Sequence, residues 1–263
     1  MRALGVIPAR FASTRFPGKP LAPLGGRTLL ERVWRRAGEA ERIERLVVAT
    51  DDDRIAEACL GFGAEAVMTS PDHASGTDRA AEVALKLDRG FAVVVNIQGD
   101  EPFVTGTSLD RLVGAFDDER PPEMATLSEP LDDLDDLFDP NVVKVVAALD
   151  GRALYFSRAP IPYHRGGATR LSPDFRGALA ERPGGLSGYR KHQGIYAYRR
   201  ETLLALTRLG PSPLERDEGL EQLRALEAGL TIRVFPSDFH SVSVDTPEDL
   251  ARAESLLAEA QER

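Results

Sequence analysis

The chain has 263 residues, 42% of them hydrophobic, and its 33 basic and 42 acidic side chains leave a formal net charge of −9. That apolar content can build a buried core and excludes wholesale disorder, while the acidic balance argues against a nucleic-acid partner, which needs a basic face. No run of about 18 apolar residues is present to span a membrane, the opening MRALGVIPAR has no apolar signal region, and Cys59, the single cysteine, cannot form an internal disulfide, so a cytoplasmic location is expected.

The first half alternates strand and helix. Apolar or β-branched runs at 3–8, 45–50, 64–68 and 91–97 predict strands; helical spacing at 28–40, 54–63 and 77–87 predicts the helices between them. Near-continuous apolar strands in βαβα order indicate a parallel sheet covered on both faces, an α/β fold. The second half is less regular. Strands are expected at 125–131, 142–149, 153–157, 192–199, 231–235 and 241–244. Helices are expected at 201–209, continuously over 213–229, and at 246–260. The Gly-, Arg- and Pro-rich stretch 164–191 predicts a long loop, and the acidic run LDDLDDLFD (131–139) a solvated loop or helix face.

The segment VIPARFASTRFPGK (6–19) places Arg10, Arg15 and Lys19 just after the first strand. A strand, a Gly/Ser/Pro loop and a helix commonly hold phosphate, and three cations suit more than one phosphate group; the alternative is an ordinary solvated loop. It is neither a Walker loop, since Lys19 precedes Pro20, nor a dinucleotide fingerprint, since PARFAS lacks the glycines. Asp100, in NIQGDEP, lies at the carboxyl end of the most β-branched strand, where open α/β sheets bind ligands, or it serves a Gly-Asp turn. In VDTPEDL, Thr246 is the expected N-cap, Pro247 the first helical residue and Asp249 the partner in a capping box. Asp245 is then free for a ligand, unless it is itself the cap. If Asp100 and Asp245 converge they make a carboxylate pair suited to Mg²⁺ beside phosphate oxygens. Cys59 is expected to be a packing residue, Trp34 a core or interface residue, and His73 a plain loop histidine, the alternative being a place near a nucleotide.

Across nearly its whole length the chain resembles the 3-deoxy-manno-octulosonate (Kdo) cytidylyltransferases. The resemblance is carried by IPARFASTRFPGKPL, DHASGTDR (72–79), VNIQGDEPF (95–103), PNVVKVV (140–146), ALYFSRAPIP (153–162), HQGIYAYR (192–199), LEQLRALEAG (220–229) and VDTPEDL. It implies a Rossmann-like nucleotidyltransferase fold with a mostly parallel central sheet. It also implies a core of about 1–150 and 203–263 and an inserted dimerisation and sugar-binding segment of about 151–202. The implied reaction joins CTP and Kdo into CMP-Kdo and pyrophosphate, with Mg²⁺, for lipopolysaccharide assembly by a homodimer. Transferred by motif, Arg10, Arg15 and Lys19 hold the triphosphate; Ser75 and Gln98 lie near the nucleotide; Asp100 and Asp245 bind metal. Arg158, His192, Tyr196, Glu221 and Gln222 line the sugar-acid pocket, with His192 expected to donate to the acid's carboxylate. Asp78 stands where many relatives carry Glu. The loop ARFASTRFPGK differs from the ARGGSKG type of neuraminate enzymes, and Arg10 follows PA rather than the G-x-G-x-R of sugar-1-phosphate nucleotidyltransferases. A nucleotide-binding protein without turnover is the competing class, and retention of both candidate metal ligands argues against it.

Overall fold

The computed structural model describes residues 1–12, 15–87, 90–165 and 174–261. Ser13 and Thr14 of the cationic loop, and 166–173 of the predicted long loop, lie outside the described residues.

The chain opens on strand β1 (Ala3–Ala9), a short hairpin β2 (Pro23–Leu24) and β3 (Arg27–Thr28), and helix α1 (Leu29–Ala37). Then come β4 (Ile43–Thr50), α2 (Asp53–Phe62), β5 (Glu65–Met68), α3 (Gly76–Lys86), β6 (Val93–Asn96) and α4 (Gly106–Gly114). Next are β7 (Met124–Pro130), α5 (Leu134–Phe138), the pair β8 (Lys144–Ala147) and β9 (Ala153–Ser157), α6 (Phe175–Ala180) and β10 (Arg190–Arg199). Helices α7 (Arg200–Leu206), α8 (Pro213–Glu218) and α9 (Gln222–Glu227), strand β11 (Ile232–Pro236) and α10 (Pro247–Gln261) complete it.

One nine-stranded sheet runs β11-β7-β10-β6-β1-β4-β5, with β8 and β9 attached beside β10. The pairs β1–β4, β1–β6, β4–β5 and β7–β11 are parallel; β10 runs against both β6 and β7. The alternation of strand side chains splits the core. Ile7, Val48, Val93 and Val95 pack on one face with Leu30, Val33, Leu109 and Leu112. Leu4, Val6, Val47 and Val94 pack on the other with Val83, Leu203 and Leu223. Two-sided burial is what continuous apolar strands require, and it yields the expected α/β architecture. Cys59 is fully buried, as expected of a packing residue, and burial pushes its thiol up to about 11.

Several boundaries differ from the sequence reading. The predicted helix 213–229 is two helices, because Gly219 takes φ 63° and ends α8. Residues 241–244 form no ladder, though Val244 is buried against Leu24 and Leu29. Within 164–191, Asp174 caps α6, accepting from Gly177 N at 2.9 Å. Helices α4 and α5 do not stand out in the sequence; each is short and starts on its own cap, Thr105 or Asp133. Leu137 of α5, Leu179 of α6 and Tyr189 form a small separate cluster with Leu131.

The cationic loop is not followed by a phosphate-facing helix. After Gly18 (φ 73°) it enters a single 3₁₀ turn, Lys19–Leu21, and α1 begins only after the β2–β3 hairpin. Among the described residues, the expected strand–loop–helix cradle is therefore absent at that point.

Candidate active site

Strand β1 has β4 on one side and β6 on the other, so the connections leave it in opposite directions. The crevice beyond the carboxyl ends of strands at such a point is where open α/β sheets bind ligands. Two continuous cavities open there, of about 740 Å³ and about 320 Å³, sharing Ser75, Gln98, Asp100 and Asp245 in their walls. Close backbone approach makes this floor. A Cβ on Gly99 would stand 2.8 Å from the Pro8 carbonyl oxygen, and one on Gly76 would stand 3.3 Å from the Pro8 ring. Only glycine at position 99 lets the QGD segment press on the backbone of β1, while a side chain at position 76 would crowd the Pro8 ring.

The smaller lobe is cationic. Arg10, Arg15, Lys19 and Arg79 line it, with His73, whose Nε2 is bonded to Glu82. Lys19 Nζ donates to Asp100 Oδ2 at 2.8 Å and to Asp245 Oδ1 at 3.0 Å, and Arg15 lies 3.2 Å from the same Asp245 oxygen. Burial pulls the Lys19 pKa down, but the two carboxylates outweigh this and hold it above its ordinary value. Asp100 and Asp245, 145 positions apart in sequence, thus converge on one ammonium.

What brings Asp245 there is a local frame. Asp249 Oδ2 accepts from the backbone N–H groups of Asp245 (3.0 Å) and Thr246 (2.9 Å) and from the Thr246 hydroxyl (3.1 Å). Thr246 Oγ1 in turn accepts from Asp249 N at 3.2 Å. The capping box is made by Thr246 and Asp249, so the Asp245 carboxylate is not the cap. Asp100 is fixed from the other side, its carbonyl accepting Val244 N at 3.0 Å. Ser75 caps α3, its hydroxyl accepting from Asp78 N and donating to Asp78 Oδ2 at 3.0 Å. Gln98 donates from Nε2 to the Gly194 carbonyl at 3.1 Å, tying the wall shared by the two cavities to β10.

The larger lobe takes His192, Tyr196, Glu221 and Gln222 into its wall, together with Lys191 and Tyr198. Burial drives the His192 pKa down to about 3 and the Tyr196 phenol well above its ordinary value. Thr77 Oγ1 donates to Glu221 Oε2 at 2.9 Å, joining the first turn of α3 to the residue before α9. Arg158 stands apart from the cleft lining. Its guanidinium donates to the carbonyls of Glu218 (2.6 Å) and Pro140 (2.7 Å), so it braces two segments behind that wall. Lys191, Tyr198, Thr77 and Asn96 were not singled out from sequence. Tyr198 follows Tyr196 at the strand's two-residue interval, but which face of β10 meets the cleft depends on its partners.

No group of three or more His, Cys, Asp or Glu suited to a metal occurs among the described residues. The donor set present is the oxygen pair Asp100 and Asp245, which fits a hard cation completing its shell with phosphate and water, not a closed protein cage.

The fold and this cleft, with cations facing paired acids at the switch point, define a nucleotidyltransferase, and a family model described as Cytidylyltransferase matches residues 4–232. The chain is 50% identical over 256 residues to a 3-deoxy-manno-octulosonate cytidylyltransferase of Myxococcus xanthus, covering 97% of this chain and 96% of that protein. It is 49% identical to one of Syntrophotalea carbinolica, covering 98% and 99%. The solved structure of a CMP:2-keto-3-deoxy-manno-octonic acid synthetase complexed with CTP superposes with a TM-score of 0.86 at 38% identity, covering 99% of this chain and all of that one. The chain belongs to the 3-deoxy-manno-octulosonate cytidylyltransferase family.

Proposed function

We propose that this enzyme transfers CMP from CTP to the anomeric hydroxyl of Kdo, releasing pyrophosphate, and so supplies CMP-Kdo for lipopolysaccharide assembly. The observation that carries the reading is Lys19 held between Asp100 and Asp245 beside Arg15. Such a site suits a triphosphate bearing a divalent cation. The phosphates offer the cations a partner of higher charge than the two carboxylates, which would leave Asp100 and Asp245 to hold the metal. A Mg²⁺ ion held by Asp100 and Asp245 would neutralise charge at the α-phosphate.

The chain's own residues do the rest by position and charge. Arg10, Arg15 and Lys19 draw the β- and γ-phosphates into the smaller lobe and stabilise the charge that grows on departing pyrophosphate. Ser75 and Gln98, shared by both lobes, lie where the nucleoside must cross between them. His192, Tyr196, Glu221 and Gln222 hold the sugar acid in the larger lobe so that its anomeric oxygen faces the phosphorus, a gain in effective concentration that needs no covalent intermediate. Lys191 stands in the same wall, its ammonium donating to the Ser241 carbonyl at 3.1 Å and lying 3.7 Å from Glu129. Pairing of two copies through 151–202 is supported by Leu154 of β9, which is 50% exposed, next to the fully exposed Leu149 in the turn just before that segment. A cytoplasmic setting accords with the nucleotide substrate.

The test is pyrophosphate release from CTP in the presence of Kdo, with and without Mg²⁺. Wild type releases pyrophosphate only with both, and Asp100→Asn keeps the fold while kcat falls by roughly 10² or more, the scale of losing a charge-stabilising group. CTP binding without release on any sugar acid would leave a binding protein, and full activity in Asp100→Asn would remove that residue from the metal site.

A further inference from the structure

Strand β10 carries an irregularity beside the cleft. Its register against β7 runs His192 to Ser128 and Gln193 to Leu127, then jumps to Tyr196 opposite Thr126. The extra residues Gly194 and Ile195 bulge out of the ladder, and bulging frees backbone carbonyls that need donors. Thr126 supplies one. Its fully buried hydroxyl lies 2.9 Å from the Ile195 carbonyl and 3.1 Å from the Gln193 carbonyl. The same oxygen lies 3.0 Å from His192 Nε2.

A hydroxyl has one proton and two lone pairs. Both carbonyls can only accept, so the Thr126 proton is committed to them. If Nε2 were also an unprotonated acceptor, three acceptors would crowd one proton. With the proton on Nε2, the imidazole donates to Thr126 Oγ1 and the set is satisfied. The ring is neutral, since burial drives its pKa down to about 3. Nδ1 then carries the lone pair. It has no hydrogen-bond partner among the described residues and is not sealed from solvent, and His192 belongs to the wall of the larger cavity.

We propose that Thr126 fixes His192 as the neutral Nε2–H tautomer, so that Nδ1 presents an acceptor to the cleft and recognises a hydroxyl of the sugar acid, not its carboxylate. This rests on the proposed activity for the identity of the ligand, and it reverses the donor role expected of His192 from sequence. Thr126 is a positioning residue: it acts through the imidazole. A neutral acceptor facing a carboxylate would repel it, so the acid group must be oriented toward the cations, and the polyhydroxyl chain toward β10.

Nitrogen-15 NMR of the full-length protein with labelled histidine tests the tautomer without any substrate. The expected spectrum shows His192, assigned by its loss in His192→Gln, with Nε2 protonated and Nδ1 unprotonated at neutral pH. A protonated Nδ1 overturns the inference. Kdo should then shift the Nδ1 resonance, whereas pyruvate, an α-keto acid with no hydroxyl, should not; equal shifts with both, or none with Kdo under conditions of turnover, also overturn it. In kinetics, Thr126→Val raises the KM for Kdo roughly tenfold, the scale of one hydrogen bond, with the KM for CTP unchanged, and Thr126→Ser restores it. A parallel loss for both substrates, or failure of the serine to rescue, assigns Thr126 a structural role only and overturns the proposal. If the Thr126→Val substitution destabilises the bulge, the wild-type spectrum still decides. Absence of any Kdo binding or turnover sinks the proposed activity and the hydroxyl reading with it, while a failure confined to the imidazole spectrum sinks this inference alone.

Discussion

A partly buried histidine whose imidazole resists protonation links this cleft to the stability of the whole chain. His192 is wedged against Phe156, with ring centroids 4.9 Å apart, and Tyr196, at 5.4 Å. Burial lowers its pKa from 6.5 to about 3. The unfolded chain therefore binds a proton below pH 6.5 that the folded protein refuses until about pH 3. More protons on the unfolded side means that stability rises with pH across this window, and is lost as pH falls through it. The contribution is at most about 1.4 kcal/mol per pH unit for one proton. Urea unfolding at a series of pH values should show a shallower acid-side slope in His192→Gln than in wild type; identical slopes would mean that His192 is charged in the folded state. Such behaviour lay beyond the sequence, which puts His192 at the head of a strand and, by resemblance, in the sugar-acid pocket, but says nothing of what packs on its ring. Its burial depends on Phe156 of β9 and Thr126 of β7, brought beside it only by the sheet.

At the scale of elements, the strand–helix alternation of the first half was legible because the runs of β1, β4 and β6 carry buried residues on both faces and each helix carries its own N-cap. Thr28, Asp52 and Ser75 all accept from backbone N–H groups in the first turn, as local sequence allows. The misread places are those where local pattern yields to tertiary packing. Residues 241–244 alternate like a strand, yet they serve to carry Asp245 past Asp100 and find no ladder partner. The acidic run, by contrast, forms the solvated helix face expected of it, with Asp132, Asp133 and Asp135 exposed, and Asp136 and Asp139 also border the larger cavity. Gly99 shows how tightly these elements fit. It has an ordinary backbone conformation, so its glycine is required by space: an added Cβ meets the Pro8 carbonyl at 2.8 Å, and backbone cannot swing aside as a side chain would. Gly99→Ala should destabilise by about 1–3 kcal/mol, the usual cost of overpacking, and displace Asp100 by its neighbour's shift. A denaturant midpoint equal to wild type would show that β1 and the QGD segment part easily.

On the scale of the whole molecule, the site exists only when both ends of the chain have folded. Lys19 and Asp245 are separated by 226 positions, and Lys19 and Asp100 by 81. No spacing rule spans such distances, so each residue could be nominated from its own motif but their meeting could not be derived from one sequence. The same arrangement couples ligand to global stability. On the proposed reading, a nucleotide gripped by Arg10 and Lys19, and by Asp245 through a metal, would bind the folded state and find no comparable site in the unfolded one. At one hundred times its dissociation constant such a ligand adds about 2.7 kcal/mol. In a chain of this size each kcal/mol moves Tm by about 2–4 °C, so saturating CTP with Mg²⁺ should raise it by about 5–10 °C. The increment due to the metal should vanish in Asp100→Asn, while the increment from CTP alone, held by the cations, remains. Scanning calorimetry on the two proteins with CTP, with and without Mg²⁺, separates these terms. An equal metal increment in both would mean that the ion rides on the phosphates without touching Asp100, and that Lys19 is that carboxylate's permanent partner.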